Sequence, residues 1–133
     1  SEEIRLQVLQ LLEAIIVRYS QTPQLKPFLN DSIIILCETV KDKYPTIKEL
    51  SCQTIIKLAN ALPMDFHMQA ESLIKPVLSC FCHQRYKVRV EAIRAIGEII
   101  MHSSFKGNNQ YHLHLFIFVR NNLLVLCSMS LNK

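Results

Sequence analysis

Glycine is nearly absent from this chain of 133 residues: Gly97 and Gly107 are the only two, and there is no tryptophan. A sheet protein of this size needs more turn residues than that, so a β architecture is disfavoured. Two isolated glycines also make no phosphate-cradling loop, and no Ser/His/Asp arrangement is discernible. Acidic residues are missing altogether from residues 104–133, which carry Lys106, Arg120 and Lys133. Three of the four excess positive charges therefore lie in the tail. The rest is nearly neutral, with seven basic and seven acidic residues over 1–60 and five and four over 61–103. A balanced body of this kind lacks the basic footprint of a nucleic-acid surface. No long apolar run is present either. Arg120-Asn121-Asn122 divides the apolar stretches Leu115–Val119 and Leu123–Cys127, whereas a membrane helix needs about 20 apolar residues in succession. No signal peptide is visible, because Glu2, Glu3 and Arg5 stand where its apolar region would begin. Ser1 opens directly into a helical pattern, and the expectation is a fragment of a longer protein or a processed product.

What is present is apolar and helical. Half of the residues are hydrophobic, enough for a substantial core. Three segments superimpose without gaps: Ile4–Ile16, Ile47–Ala59 and Val88–Ile100. Their starts recur at a period of about 40 residues, the length of a helical-repeat unit. Each starts with a β-branched residue followed by a base, Arg5, Lys48 or Arg89. Val8, Ser51 and Ala92 follow four positions on, then Leu12, Ile55 and Ile96, then Ile15, Leu58 and Ile99. Steps of 4, 4 and 3 place these residues on one helix face. A single repeat cannot bury such a face, so neighbours must stack over it. Between these helices lie partners: Lys26 to about Lys41, with Pro27 in its first turn, and about Asp65 to Cys82, with Asp65 as N-cap and a kink at Pro76. Turns fall at Gln21–Gln24, Lys43–Thr46, Ala61–Pro63 and His83–Tyr86. Helix–turn–helix units of about 40 residues, with no third short helix, predict an all-α HEAT-repeat α-solenoid of antiparallel helix pairs.

The array is expected over 1–103, as the second helix of one repeat plus two complete repeats. Residues 104–133 break the pattern. Lys106-Gly107-Asn108-Asn109 is a turn signal, and Tyr111–Leu115 alternates like a strand. The loss of acids and of periodicity after Ser104 suggests a splice or read-through extension.

Five cysteines, Cys37, Cys52, Cys80, Cys82 and Cys127, are an odd number, four of them inside helical apolar patterns. Reduced thiols in a cytosolic protein explain this better than a disulfide framework. Cys80-Phe81-Cys82-His83 is the one compact group of metal-type residues. Cysteines two apart on a helix point about 200° from each other, and a structural zinc site needs four converging ligands. Buried or half-buried thiols are the better reading, and neither a metal nor a cofactor is expected. A Cys80 or Cys82 nucleophile with a nearby His is a competing enzyme reading, but nothing marks one thiol as activated. Two groups stand out as candidate protein-binding residues. Arg85, Lys87, Arg89 and Arg94 would form a positive ridge for acidic partners, unless they cross-link neighbouring turns, as Lys48 is placed to do with Asp42. His67 and Met68, beside Met64 and Phe66, would form a soft edge, unless they staple the inter-repeat turn.

Two stretches are more specific than the repeat. Asp65-Phe66-His67-Met68-Gln69-Ala70-Glu71-Ser72-Leu73-Ile74 and His83-Gln84-Arg85-Tyr86-Lys87-Val88-Arg89-Val90-Glu91-Ala92-Ile93 resemble the HEAT-repeat-containing axonemal dynein assembly factors, as does Ser1–Gln7. The resemblance covers about residues 1–103, and residues 14–60 match mainly in pattern. It implies a non-catalytic cytoplasmic factor of ciliated cells that helps preassemble axonemal dynein arms, with dynein chains and co-chaperones as partners and with no catalytic residue. The alternative is a HEAT scaffold of another pathway, such as transport or phosphatase regulation.

Overall fold

Ser1 starts the first helix by accepting the Ile4 N–H on its hydroxyl at 3.3 Å. Glu2 and Glu3 in the first turn and Arg18 in the last complement the helix dipole of α1 (Glu2–Arg18). In the computed structural model, residues 1–103 together with Ile117, Arg120 and Asn121 are described. The strand-like and extension readings of the tail lie outside the described residues.

After α1 the chain turns through Gln21, whose φ of 60° is left-handed and whose N–H donates to the Ala61 carbonyl at 3.0 Å. A 3₁₀ turn, Lys26–Phe28, carrying Pro27, leads into α2 (Leu29–Thr39). Pro45 sits in the first turn of α3 (Pro45–Ala61), where its missing N–H costs nothing. Then come α4 (Pro63–Phe66), α5 (Glu71–Leu78), a 3₁₀ turn (Ser79–Cys82) and α6 (Tyr86–Ser103). The inner layer runs α1, α3, α6, each packed on the next, while α2 and α5 pack side by side as the outer layer. Among the described residues the architecture is all-α.

The outer arm of the last repeat differs from the single kinked helix expected over Asp65–Cys82. It begins at Pro63, so Asp65 lies inside the first turn rather than capping it. It is broken between α4 and α5, where i→i−3 bonds take over: Met68 N–H to Asp65 at 3.2 Å, Gln69 N–H to Phe66 at 3.0 Å and Leu73 N–H to Ala70 at 3.0 Å. The helix continues through Pro76 to Leu78 before tightening to 3₁₀. Pro76 has no N–H for the Ser72 carbonyl four residues back. The Cys37 thiol of α2 donates to that carbonyl at 3.5 Å, so the unpaired acceptor becomes an inter-repeat contact.

The core follows the repeat. Ile47, Ile55 and Leu58 of α3 and Val88, Ala92 and Ile99 of α6 are fully buried, with Leu36 of α2, Val40 just after it, and Leu73 and Val77 from α5. Each such Leu or Ile contributes about 1.5–3 kcal/mol relative to exposure. Gly97 is exposed in the middle of α6, and a methyl added there would meet nothing within 4 Å. Gly97→Ala is therefore expected to stabilise the fold by about 0.5–1 kcal/mol, since Ala loses less backbone entropy in a helix. An unchanged or lowered urea midpoint would contradict this.

Candidate protein-binding surface

The turn before α6 builds the basic ridge. His83 accepts the Arg85 N–H on Nδ1 at 3.0 Å, and Arg89 reaches back one helical turn. Its Nη1 donates to the carbonyls of His83 at 2.6 Å and Gln84 at 2.9 Å. With those bonds made, Arg89 is a structural staple as well as a surface cation. Arg85 and Lys87 are exposed. Together with Gln84, Tyr86 and Glu49 of α3, these cations line a shallow depression of about 410 Å³. The depression holds three cations and one carboxylate, so it favours an anionic partner. Arg94 lies further along α6 and pairs with Glu91 at 3.2 Å, outside this depression.

The second group of candidates divides. His67 is buried, whereas Met68 is 66% exposed. Phe66, His67 and Ala70 face inward and Met68 outward, which is the ordinary spacing of one helix face. His67 is thus corrected from a surface contact to an interior residue. Phe66 packs edge-on to His102, with ring centroids 6.2 Å apart.

The repeated base at the second position of each repeated segment has three fates. Arg5 donates through Nε to Asp42 Oδ2 at 2.6 Å and through Nη2 to Oδ1 at 3.3 Å, with its guanidinium 5.5 Å from the Tyr44 ring centre. This corrects the expectation that Asp42 would serve Lys48. Arg5 lies one repeat earlier and faces the following turn, whereas Lys48 donates to the Val40 carbonyl at 3.2 Å. In the next turn, one repeat on, the position of Asp42 is taken by His83. The two residues act alike locally, since Asp42 Oδ1 accepts the Tyr44 N–H at 3.0 Å.

Both groups are shifted in the folded state. The hydrogen bond from Arg5 holds the Asp42 carboxyl below its usual 3.8, against partial burial and aided by the Tyr44 N–H. Burial, then the charges of Lys48, Arg85 and Arg89, hold His83 below 6.5. In each case the unfolded chain takes the proton first, so stability falls as pH falls. The expected result is two steps in the urea midpoint. One lies below 6.5, where His83 titrates, and one below 3.8, where Asp42's contribution, full above that pH, is lost as pH drops through its lowered folded value. His83→Asn should flatten the first step and Asp42→Asn the second. Midpoint-against-pH curves that superimpose on the parent's would refute the assignment.

Sequence reading missed two cross-links. Glu13 of α1 takes the Lys57 ammonium at 2.9 Å and the Thr54 hydroxyl at 3.4 Å, joining α1 to α3. Lys26 meets Asp65 at 3.4 Å, joining the outer arms. The offset between partners, close to one repeat length, is the signal that could have found them, because it places them on adjacent repeats.

The cysteines split between core and surface. Cys52 and Cys80 are both fully buried, whereas Cys82 is exposed. The hydrogen bond with Cys80, then burial, pushes the Cys52 thiol upward. The same bond and the charge of Lys48 pull Cys80 the other way, against its burial. Neither sulfur is open to a substrate. Among the described residues no helix is long and apolar enough to cross a membrane.

Comparison with known proteins agrees with this architecture. The family model described as dynein axonemal assembly factor 5-like, TPR repeats, matches residues 1–117. The match runs past Ser103, so likeness to the family extends further than the 1–103 expected. Its description names TPR repeats, but a period of about 40 residues exceeds the roughly 34 residues of a TPR unit and fits the HEAT range. A Xenopus laevis protein named dynein axonemal assembly factor 5 is 39% identical over 115 residues, covering 86% of this chain and 14% of the relative. Proteins of the same name from Mus musculus and Homo sapiens are 37% and 39% identical, over 81% and 74% of this chain and 12% and 11% of their own lengths. The chain thus spans about one eighth of the relatives it matches. No solved structure matches it significantly. With its helical repeats and a family match over most of its length, the chain belongs to the dynein axonemal assembly factor 5-like family.

Proposed function

We propose that this chain is a segment of a non-catalytic scaffold that holds client proteins during cytoplasmic preassembly of axonemal dynein arms. The observation that carries the reading is the family match over residues 1–117. The geometry supports it. A stacked array offers a long surface to a large client and distributes binding over many contacts rather than one enclosed pocket. The exposed cations Arg85 and Lys87, beside Tyr86, are the part of that surface best suited to acidic segments of a client or co-chaperone. Met68 supplies an adaptable apolar contact further along the same repeat.

The test is capture from ciliated-cell cytosol, with the full chain set in the longer array of a relative as bait. Axonemal dynein chains and chaperones should be enriched, and Arg85→Glu with Lys87→Glu should reduce their capture several-fold while leaving the circular dichroism unchanged. Enrichment of transport or phosphatase components instead would move the function to another HEAT scaffold. Undiminished capture by the charge-reversed bait would remove the ridge from the contact surface.

A further inference from the structure

The two turns that lead into α3 and α6 have the same build but not the same charge. In each, the first side chain accepts the N–H two residues on, Asp42 from Tyr44 at 3.0 Å and His83 from Arg85 at 3.0 Å. Residues 42–48 carry two bases and one acid, whereas residues 83–89 carry three bases and no acid. The acid of the first turn takes Arg5 at 2.6 Å, and His83 brings no negative charge to the same place in the second. Arg85 and Lys87 stand where the earlier turn has Tyr44 and Thr46, and both are exposed. Among the described residues neither lies in an ion pair. Arg89 commits Nη1 to two carbonyls, which are neutral, and keeps its charge. The first turn of α6 holds no acid, and cations at the start of a helix oppose its dipole. Apart from the Arg89 staple, these bases therefore cost the fold stability rather than adding it. Glu49 is the one acid lining the depression they share, which leaves it two net positive charges.

We infer that this depression binds a phosphorylated serine or threonine side chain of a protein partner. The inference rests on the proposed reading of the ridge as a client contact and specifies what the client presents there. Charge selects the ligand. A phosphomonoester carries about −1.5 to −2 charges at pH 7 and three strong acceptor oxygens, which matches two net positive charges. The carboxylate of an Asp or Glu neutralises only one. The donors fit as well. Arg85 offers two parallel N–H groups to a phosphate, and Lys87 adds a point charge. Tyr86 lines the same depression and is 63% exposed, so its hydroxyl is a further donor.

The test titrates the full 133-residue chain, labelled with nitrogen-15, with capped tripeptides that differ only in the central residue: serine, aspartate or phosphoserine. The phosphoserine peptide should shift the amides of residues 84–89. It should bind about fivefold more tightly than the aspartate peptide, the factor that one further charge contributes at close range in water. The serine peptide should shift none. Arg85→Gln with Lys87→Gln should abolish the response. His83→Asp keeps an acceptor for the Arg85 N–H and returns to this turn the carboxylate that the earlier one has, so it should weaken binding several-fold without lowering Tm. Equal binding of the aspartate and phosphoserine peptides would overturn the inference, as would shifts that survive the Arg85→Gln, Lys87→Gln variant. Capture from ciliated-cell cytosol separates the inference from the reading beneath it. Capture that falls when the cytosol is first treated with phosphatase supports both. Capture that is lost on charge reversal of Arg85 and Lys87 but indifferent to phosphatase would overturn the phosphate and leave the ridge as a contact for acidic segments.

Discussion

Phe66→Ala should lower the stability of the chain by about 3–5 kcal/mol, the usual cost of emptying a large buried aromatic site. Phe66 is fully buried although it sits in α4, a helix of only four residues. Such a helix has almost no stability of its own, so the side chain holds the backbone rather than the reverse. Its ring meets the His102 ring edge-on at 76°, which ties the outer arm to the far end of α6. An edge-on pair adds about 0.5–1.5 kcal/mol beyond buried area. Against a total of about 5–15 kcal/mol for a domain, the loss would leave the last repeat partly open at ambient temperature. Urea unfolding followed by circular dichroism checks this. Phe28→Ala is the control, because Phe28 is exposed and its loss should cost less than about 0.5 kcal/mol. A similar small loss at Phe66 would mean that the break between α4 and α5 relaxes to fill the space.

Ala95→Leu should cost about 1–3 kcal/mol in the opposite way, by overpacking. Ala95 is fully buried and shares its repeat position with Thr54 of the preceding repeat. Thr54 looks across the inner layer, since its hydroxyl reaches Glu13 of α1. By the same register Ala95 looks from α6 onto α3. Among the described residues α3 and α6 pack most extensively, and small residues such as Ala95 let two helices approach closely. A leucine there pushes the last two repeats apart. The expected signature is a lowered urea midpoint together with faster hydrogen exchange in α6 and little change in α1. Uniformly faster exchange would show that the array melts as one unit rather than repeat by repeat. A neutral result would show that the α3–α6 interface has slack.

Much of this fold was legible because a repeat presents the same evidence three times. The face carrying Ile47, Ser51, Ile55 and Leu58 reads out of spacing alone, and the structure buries all four. Pro45 and Pro27 mark helix starts for a local reason, a missing N–H where none is needed. The outer arms were harder to read. The run from Pro63 to Cys82 is continuously compatible with helix in sequence. It breaks after Phe66, where i→i−3 bonds replace the helical ones, although Phe66 and Leu73, seven residues apart, would share one face of an unbroken helix. The candidate site was legible as a run of bases but not as a surface. Spacing could not tell that Arg89 caps the carbonyls of His83 and Gln84 while Arg85 and Lys87 stay exposed.

The amino-acid order by itself determined the helical period, the repeat unit of about 40 residues, and the apolar face that each inner helix must cover. These follow from local geometry, since the helical turn of about 3.6 residues and the backbone limits of proline act over short stretches of chain. Tertiary structure decided the pairings. It gave Asp42 to Arg5 rather than Lys48, buried His67, and left the α1 face open while the identical faces of α3 and α6 closed. Contacts between residues a whole repeat apart depend on where helices stack, and stacking is settled by the packing of many side chains at once.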